Sequence, residues 1–169
     1  MVLERIGTEP VSAREIFVVE LAGPQSLVAP LRASSPRFVC LLAWDAQDVP
    51  TSAIADVARQ LLDSGAVWIS CWGPDCERVH DTVDDVFRTW ARKSEGVVMT
   101  TWHADEQLAE VISFSLLGFF PDDEYAEGCR SLVGISIGQS TWAAEMRNAY
   151  RDPAGYLARA NTDDHDNAV

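Results

Sequence analysis

The stretch AVWISCWGPDCERVHD, residues 66–81, decides the fold of this chain. It begins as an apolar run typical of a buried strand, is broken by a Gly-Pro pair, and continues as the first turns of a helix. The same order recurs upstream in FVCLLAWDAQDVPTSA and downstream in GVVMTTWHADEQLAEV. Each apolar run ends in tryptophan, at Trp44, Trp72 and Trp102, and acids follow within a few residues. This repetition predicts a strand followed by a helix, three times over.

The remaining pattern extends this alternation along the chain. Strands are predicted over residues 16–22, 38–44, 66–72, 97–102 and 132–137, and helices from about 51, 75, 104 and 141. Units of about thirty residues that alternate strand and helix indicate a parallel sheet with right-handed crossovers. The sequence therefore predicts an α/β fold, a doubly wound three-layer sandwich with a mainly parallel sheet, of flavodoxin-like or Rossmann-like type.

The domain organisation follows from where this pattern starts and stops. Residues 1–13 lack periodicity and are predicted to be loose, and residues 161–169 are predicted to be a disordered acidic tail. A single α/β domain is expected over 14–160, with its core in 37–138. Because prolines follow the first strand closely, residues 16–22 are predicted to be an edge strand or an extended arm.

Local signals refine the second strand-helix unit. Thr51 or Ser52 is predicted to cap the helix that follows Pro50, since hydroxyl side chains accept hydrogen bonds from the first turn. Gly65 stands where a left-handed C-terminal cap is expected. A loop rich in acids is predicted at 121–124.

Composition and charge restrict the partners. The 169 residues are 47% hydrophobic and 23% charged, which is typical of a soluble globular protein, and the net charge is −13. That charge disfavours nucleic acids and anionic membranes and suits a basic protein partner. No signal peptide or apolar run of about 20 residues is present, so a cytosolic protein with four reduced cysteines is expected.

The candidate site lies at the carboxyl ends of the predicted strands, because open parallel sheets bind ligands there. The predicted binding residues are Trp44, Asp45, Trp72, Asp75, Glu77, His80, Trp102, His103 and Asp105. The three indoles could stack on a ligand or anchor a partner, or they could close the top of the core, which the usual burial of tryptophan favours.

Catalytic interpretations of the same segments are weaker. Cys76 and His80 are four residues apart on one helix face, and a helix N-terminus lowers a thiol pKa, so a Cys-His nucleophile is conceivable. Asp75 and Glu77 oppose thiolate formation. A zinc site that also used His103 would lack any paired-ligand spacing. No catalytic residue, metal or cofactor is therefore predicted.

Several familiar motifs are absent from the sequence. It contains no G-x-G-x-x-G after a strand, no Walker loop and no G-x-S-x-G. It also lacks the acids and the lysine that a phospho-receiver domain would need. Dinucleotide enzymes, P-loop NTPases, serine hydrolases and phospho-receivers are therefore disfavoured.

Four runs, CLLAWDAQDV, CWGPDCERVHD, VMTTWHADE and CRSLVGISIG, resemble those of an uncharacterised bacterial domain family of unknown function. The resemblance covers roughly residues 37–138 and leaves out the first 36 residues and the C-terminal helix and tail. It implies a small bacterial α/β protein, and it transfers no catalytic residue.

Three functional hypotheses follow. The leading one is a non-enzymatic, cytosolic regulatory or immunity-like module that binds a protein partner, possibly basic, through the tryptophan-acid edge. The alternative is a small nucleotide- or metal-dependent hydrolase, with Asp45, Asp75, Glu77, His80 and His103 as its candidate residues. A structural subunit of a larger assembly is the third, for which an exposed apolar patch would be the sign.

Overall fold

A computed structural model describes residues 3–27, 31, 33, 35–90 and 96–166, with side chains described as far as 159. The strands in this part of the chain are β1 (Glu4–Thr8), β2 (Glu15–Leu21), β3 (Arg37–Trp44), β4 (Ala66–Trp72), β5 (Met99–His103) and β6 (Cys129–Ile137). The helices are α1 (Thr51–Ser64), α2 (Cys76–Thr89), α3 (Leu108–Leu117), α4 (Asp123–Ala126), α5 (Ser140–Arg151) and α6 (Pro153–Asp166). None of the described helices is long and apolar enough to cross a bilayer.

The strands form one mainly parallel sheet in the order β1-β2-β6-β3-β4-β5. The neighbours from β2 to β5 pair in parallel, and β1 pairs with β2 antiparallel. The predicted α/β class and mainly parallel sheet are therefore confirmed. Numbered along the chain, the five parallel strands lie in the order 1-5-2-3-4. Flavodoxin has 2-1-3-4-5 and the Rossmann fold 3-2-1-4-5-6, so the predicted likeness to either is not confirmed.

Helices cover both faces of the sheet because its central strands are apolar on both sides. In β3, Cys40 and Leu42 pack towards α1 and α2, whereas Leu41 and Ala43 pack towards α3 and α5. The inner face of α1 is fully buried, and it consists of Ile54, Val57, Ala58, Leu61 and Leu62. Gly65 ends α1 with φ 104°, which confirms the predicted left-handed cap.

The N-terminal segment differs from the prediction. Residues 4–8 form β1 instead of a loose end, so β2 lies between β1 and β6 and is not an edge strand. Arg147 of α5 binds the carboxylates of Glu4 and Glu20 at 2.9 and 3.2 Å, which ties β1 to the sheet. The sequence could not predict β1, because this strand is short and polar and has no hydrophobic periodicity. The contacts that hold it in the sheet join residues distant in sequence.

Several helix limits also differ. The cap of α1 is Pro50 without a side-chain hydrogen bond, so the predicted cap at Thr51 or Ser52 is wrong. The helix predicted from residue 104 begins at Leu108, because Gln107 and Glu110 form a capping box there. Part of the predicted acidic loop at 121–124 belongs to the short helix α4, which starts at Asp123. The α6 helix continues to Asp166 where a disordered tail was predicted, and 167–169 lie outside the described residues.

Candidate functional site

A cleft of about 460 Å³ opens between the carboxyl ends of β4 and β5. The chain leaves β4 towards α2 on one face of the sheet, and it leaves β5 towards α3 on the other. Neighbouring strands that send their chains to opposite faces leave a crevice between them, which is where α/β proteins bind ligands. We call it the aromatic-acidic cleft, and it is lined by Trp72, Asp75, Glu77, His103, Glu106 and Trp142.

Two indoles form the aromatic part of this cleft. The rings of Trp72 and Trp142 meet edge to face, with their centroids 5.0 Å apart. The indole N–H of Trp72 donates a hydrogen bond to the backbone carbonyl of Glu106 at 2.8 Å. This contact joins the end of β4 to the loop before α3 and fixes the orientation of the ring. Both indoles are half-buried, so part of each faces the cleft.

The turn that enters α2 shapes one side of the cleft. Gly73 has φ 113°, and a Cβ there would lie 2.5 Å from the carbonyl oxygen of Trp44. Asp75 has φ 66°, a left-handed conformation that is uncommon for a residue with a side chain. Arg78 stabilises the turn, because it donates to the Asp75 carboxylate at 2.7 Å and to the carbonyl of Ala46 at 2.5 Å. Asp75 is therefore held by an internal partner.

The other acids of the cleft are more accessible. Glu77 lies in the first turn of α2 and is exposed, and within the described chain it has no ion-pair partner. Glu106 is exposed in the loop after β5, and one of its carboxylate oxygens lies 2.9 Å from Nδ1 of His103. The Nε2 atom of the same ring lies 3.2 Å from the hydroxyl of Thr101. Partners at both ring nitrogens thus fix the orientation of the His103 imidazole. Glu77 and Glu106 place a carboxylate on each side of the cleft.

Cys76 and His80 do not form a nucleophile pair. The Cys76 side chain is buried, and this burial raises the pKa of its thiol, although backbone N–H groups, that of His103 first, act in the opposite direction. Nδ1 of His80 lies 3.0 Å from Asp81 and its Nε2 lies 3.1 Å from the hydroxyl of Thr100. No group of three or more His, Cys, Asp or Glu within the described residues is arranged to hold a metal ion.

The three tryptophans end neighbouring strands but do not converge. Ala43 pairs with Trp72 across β3 and β4, so the next residue, Trp44, points to the opposite face. Trp44 is only 3% exposed and closes the core against α1 and α2. Trp102 points to the same face as Trp44 but is 48% exposed, with its ring 4.5 Å from that of His80.

The other predicted site residues lie outside the aromatic-acidic cleft. Asp45 is exposed beside a second cleft of about 320 Å³ between the ends of β2, β6 and β3, which Trp44 and Gly138 also line. Asp105 is exposed in the loop after β5. His80 and Trp102 form a separate cluster on the side of β5 that faces α2. The structure thus brings Trp72, Asp75, Glu77 and His103 together and leaves the other five elsewhere.

Trp142 and Glu106, whose side chains also line the cleft, were not among the predicted binding residues. Trp142 lies in the first turn of α5, after the last strand of the sheet. Glu106 lies in a segment that was predicted to be helical and is a loop. The capping box at Gln107 and Glu110 was a signal in the sequence that could have placed the start of α3 later.

The fold and this cleft define a three-layer α/β protein with an aromatic and acidic crevice at the carboxyl edge of its sheet. A family model described as a domain of unknown function, DUF7684, matches residues 16–153. The chain belongs to this family. The match includes β2 and reaches past α5, so the span of 37–138 predicted from the resemblance was too short. No curated protein matches the chain.

Proposed function

We propose that this protein is a non-catalytic cytosolic regulatory or immunity-like module that takes a cationic side chain of a protein partner into the aromatic-acidic cleft. The observation that carries the proposal is the pairing of two half-buried indoles with the accessible carboxylates of Glu77 and Glu106. Aromatic faces attract Arg and Lys, and carboxylates accept their N–H groups. The net charge of −13 favours the approach of such a partner.

The same carboxylates weigh against the hydrolase alternative in its nucleotide-dependent form. A phosphate in this cleft would meet the carboxylates of Glu77 and Glu106 at close range, and like charges repel most strongly where water is partly excluded. The buried thiol of Cys76, with its raised pKa, is poorly suited to act as a nucleophile near neutral pH. These features support binding of a cation over binding of a phosphorylated substrate.

A titration with short capped peptides tests the proposal. The peptide Gly-Ser-Arg-Ser-Gly should shift the indole N–H signals of Trp72 and Trp142 in the NMR spectrum, and its Glu counterpart should not. The double variant E77Q/E106Q should weaken this binding by about tenfold, about 1.4 kcal/mol, because each Gln still accepts a hydrogen bond but no longer carries the charge that strengthens it.

The matched control is E127Q, which removes an exposed acid after α4 that does not line the cleft. It should leave the Arg peptide's affinity unchanged. E127Q removes one charge and E77Q/E106Q removes two. If the double variant lost no more than twice the binding free energy that E127Q loses, the peptide would respond to net charge alone, and the proposal would fail. A stronger response to a nucleotide than to the Arg peptide would favour the hydrolase.

A further inference from the structure

The two edges of the sheet are built differently. At one edge, β1 carries the charged residues Glu4 and Arg5 and a bulge between Arg5 and Gly7. Charges, prolines and bulges are the features by which native proteins prevent edge strands from pairing with other chains. At the other edge, β5 begins with Met-Thr-Thr-Trp, which has no charge and no proline, and its pairing with β4 is regular. Within the described residues, β4 is the one strand paired with β5.

Apolar side chains are exposed along this unprotected edge. Val97 is 55% exposed, Met99 is 38% exposed and Trp102 is 48% exposed. The Trp102 ring is held in place by its contact with His80, whose imidazole is buried between α2 and β5. A peptide that adds a strand to a sheet gains affinity from hydrogen bonds to the backbone of the edge strand and specificity from side-chain contacts. The outer edge of β5 offers its backbone for the first, and the preordered indole of Trp102 is an anchor for the second.

Carboxylates flank the same edge on the α2 side. Asp84 accepts a hydrogen bond from the hydroxyl of Thr100 at 2.7 Å, which places the acid directly over β5. Asp81 lies against His80 and is largely exposed. Side chains of an added strand that point to this face would meet both acids, so basic residues fit there.

Charge also argues against a second copy of this chain as the occupant. Two copies joined through β5 would bring Asp81 and Asp84 of each close to those of the other, in molecules of net charge −13. Asp122, which accepts a hydrogen bond from the backbone N–H of Val97 at 3.3 Å, adds a carboxylate just before β5 begins. Like charges across an interface cost several kcal/mol, whereas a basic segment meets attraction throughout.

We propose that the outer edge of β5 binds an extended, basic segment of a protein partner as an additional β-strand. The partner's backbone N–H and C=O groups pair with those of β5, and alternate basic side chains lie beside Asp81 and Asp84. The proposal rests on the proposed function in that β5 ends at His103, which lines the aromatic-acidic cleft. A strand added here leads a cationic side chain into that cleft.

Hydrogen exchange with defined peptides tests this pairing. A capped peptide of about seven residues that alternates Lys and Val should bind and slow the exchange of backbone amides in residues 99–103. The same peptide with an N-methyl group on every backbone nitrogen keeps the charge but cannot donate hydrogen bonds to β5 from either edge, and it should bind at least tenfold more weakly, about 1.4 kcal/mol. A peptide with Glu in place of Lys should not bind.

Two variants that each add one positive charge test whether the peptide binds at the outer edge of β5. W102K should abolish binding of the Lys-Val peptide, and V11K, which changes an exposed apolar residue outside β5, should not. Because the N-methyl comparison uses the wild-type protein, the proposal stays testable even if W102K folds poorly. The proposal is overturned if the methylated peptide binds equally well, if peptide binding leaves exchange in β5 unchanged, or if no binding occurs up to about 1 mM. Concentration-dependent protection of β5 without peptide would instead identify a second copy as the occupant.

The cleft variant E77Q/E106Q separates this proposal from the proposed function. If the Lys-Val peptide still protects β5 in that variant and the Arg pentapeptide does not bind the wild-type cleft, strand addition stands and the cleft's role falls. If the Arg pentapeptide binds the cleft and β5 is never protected, the cleft's role stands and strand addition falls.

Discussion

Gly73 shows how one residue sets the geometry of the cleft. The chain turns out of β4 at Gly73 with φ 113°, and it passes so close to the Trp44 carbonyl oxygen at the end of β3 that a Cβ would lie 2.5 Å from it. We expect G73A to lower the free energy of unfolding by about 3 kcal/mol, because a Cβ adds a steric clash to the cost of a positive φ. Urea unfolding at neutral pH measures this loss.

Gly138 provides the matched control for this prediction. It also has a positive φ, 78°, but a Cβ there would meet no atom within 4 Å. G138A should therefore cost only the conformational part, about 1–2 kcal/mol. If G73A and G138A lowered the free energy of unfolding equally, the close approach of Gly73 to Trp44 would make no contribution to the cost of G73A.

At the level of secondary-structure elements, the sequence predicted where the strands end, but not which face of the sheet each terminal tryptophan occupies. Apolar runs ending at Trp44, Trp72 and Trp102 are visible in the sequence and correctly placed the ends of β3 and β4 and, within one residue, that of β5. Whether neighbouring indoles share a face depends on the register between strands, and one residue of offset reverses it. That register is set by contacts distant in sequence. Equally, Trp142 reaches the cleft only because β6 lies next to β3 in the sheet.

The capping box of α3 keeps residues 104–107 out of the helix and so leaves room for the cleft. The carboxylate of Glu110 accepts a hydrogen bond from the backbone N–H of Gln107 at 2.6 Å. E110A should lower the free energy of unfolding by about 1 kcal/mol, since it leaves this donor without its partner. Thermal unfolding is a suitable measurement.

E110Q is the conservative counterpart, because Gln can accept the same hydrogen bond in a capping box. It should retain most of the stability that E110A loses. A loss as large in E110Q as in E110A would show that the charge of Glu110 near the helix N-terminus matters more than the hydrogen bond.

Over the whole molecule, acids outnumber bases by two to one, 26 to 13, and several bases serve the fold. Arg14 is buried against Glu9 and donates to the Phe119 carbonyl, while Arg78 and Arg147 hold the Asp75 turn and β1. The uncompensated charge is therefore left on exposed acids. This distribution is consistent with a protein whose surface attracts a basic partner and repels copies of itself.

Because every cysteine is buried, the free energy of unfolding of the whole molecule depends on pH in the alkaline range. Burial raises the pKa of the Cys40, Cys71, Cys76 and Cys129 thiols above the value near 8.5 that they have when unfolded. Above about pH 8.5 the unfolded chain loses protons that the folded protein keeps, so the free energy of unfolding must fall as pH rises. Below that pH both states are protonated and the contribution is constant. Urea unfolding from pH 7 to 10, with a reductant present, measures the decline.

C40A separates this effect from other alkaline changes, because Cys40 is fully buried and its thiol is removed without adding a polar group. The substitution costs some stability at pH 7 through the small cavity it leaves. Its decline above pH 9 should nevertheless be shallower than that of the wild type, by up to about 1.4 kcal/mol per pH unit, the value for one proton. Parallel pH profiles for C40A and the wild type would mean that the Cys40 thiol ionises alike in both states, and that its burial does not control the alkaline limit.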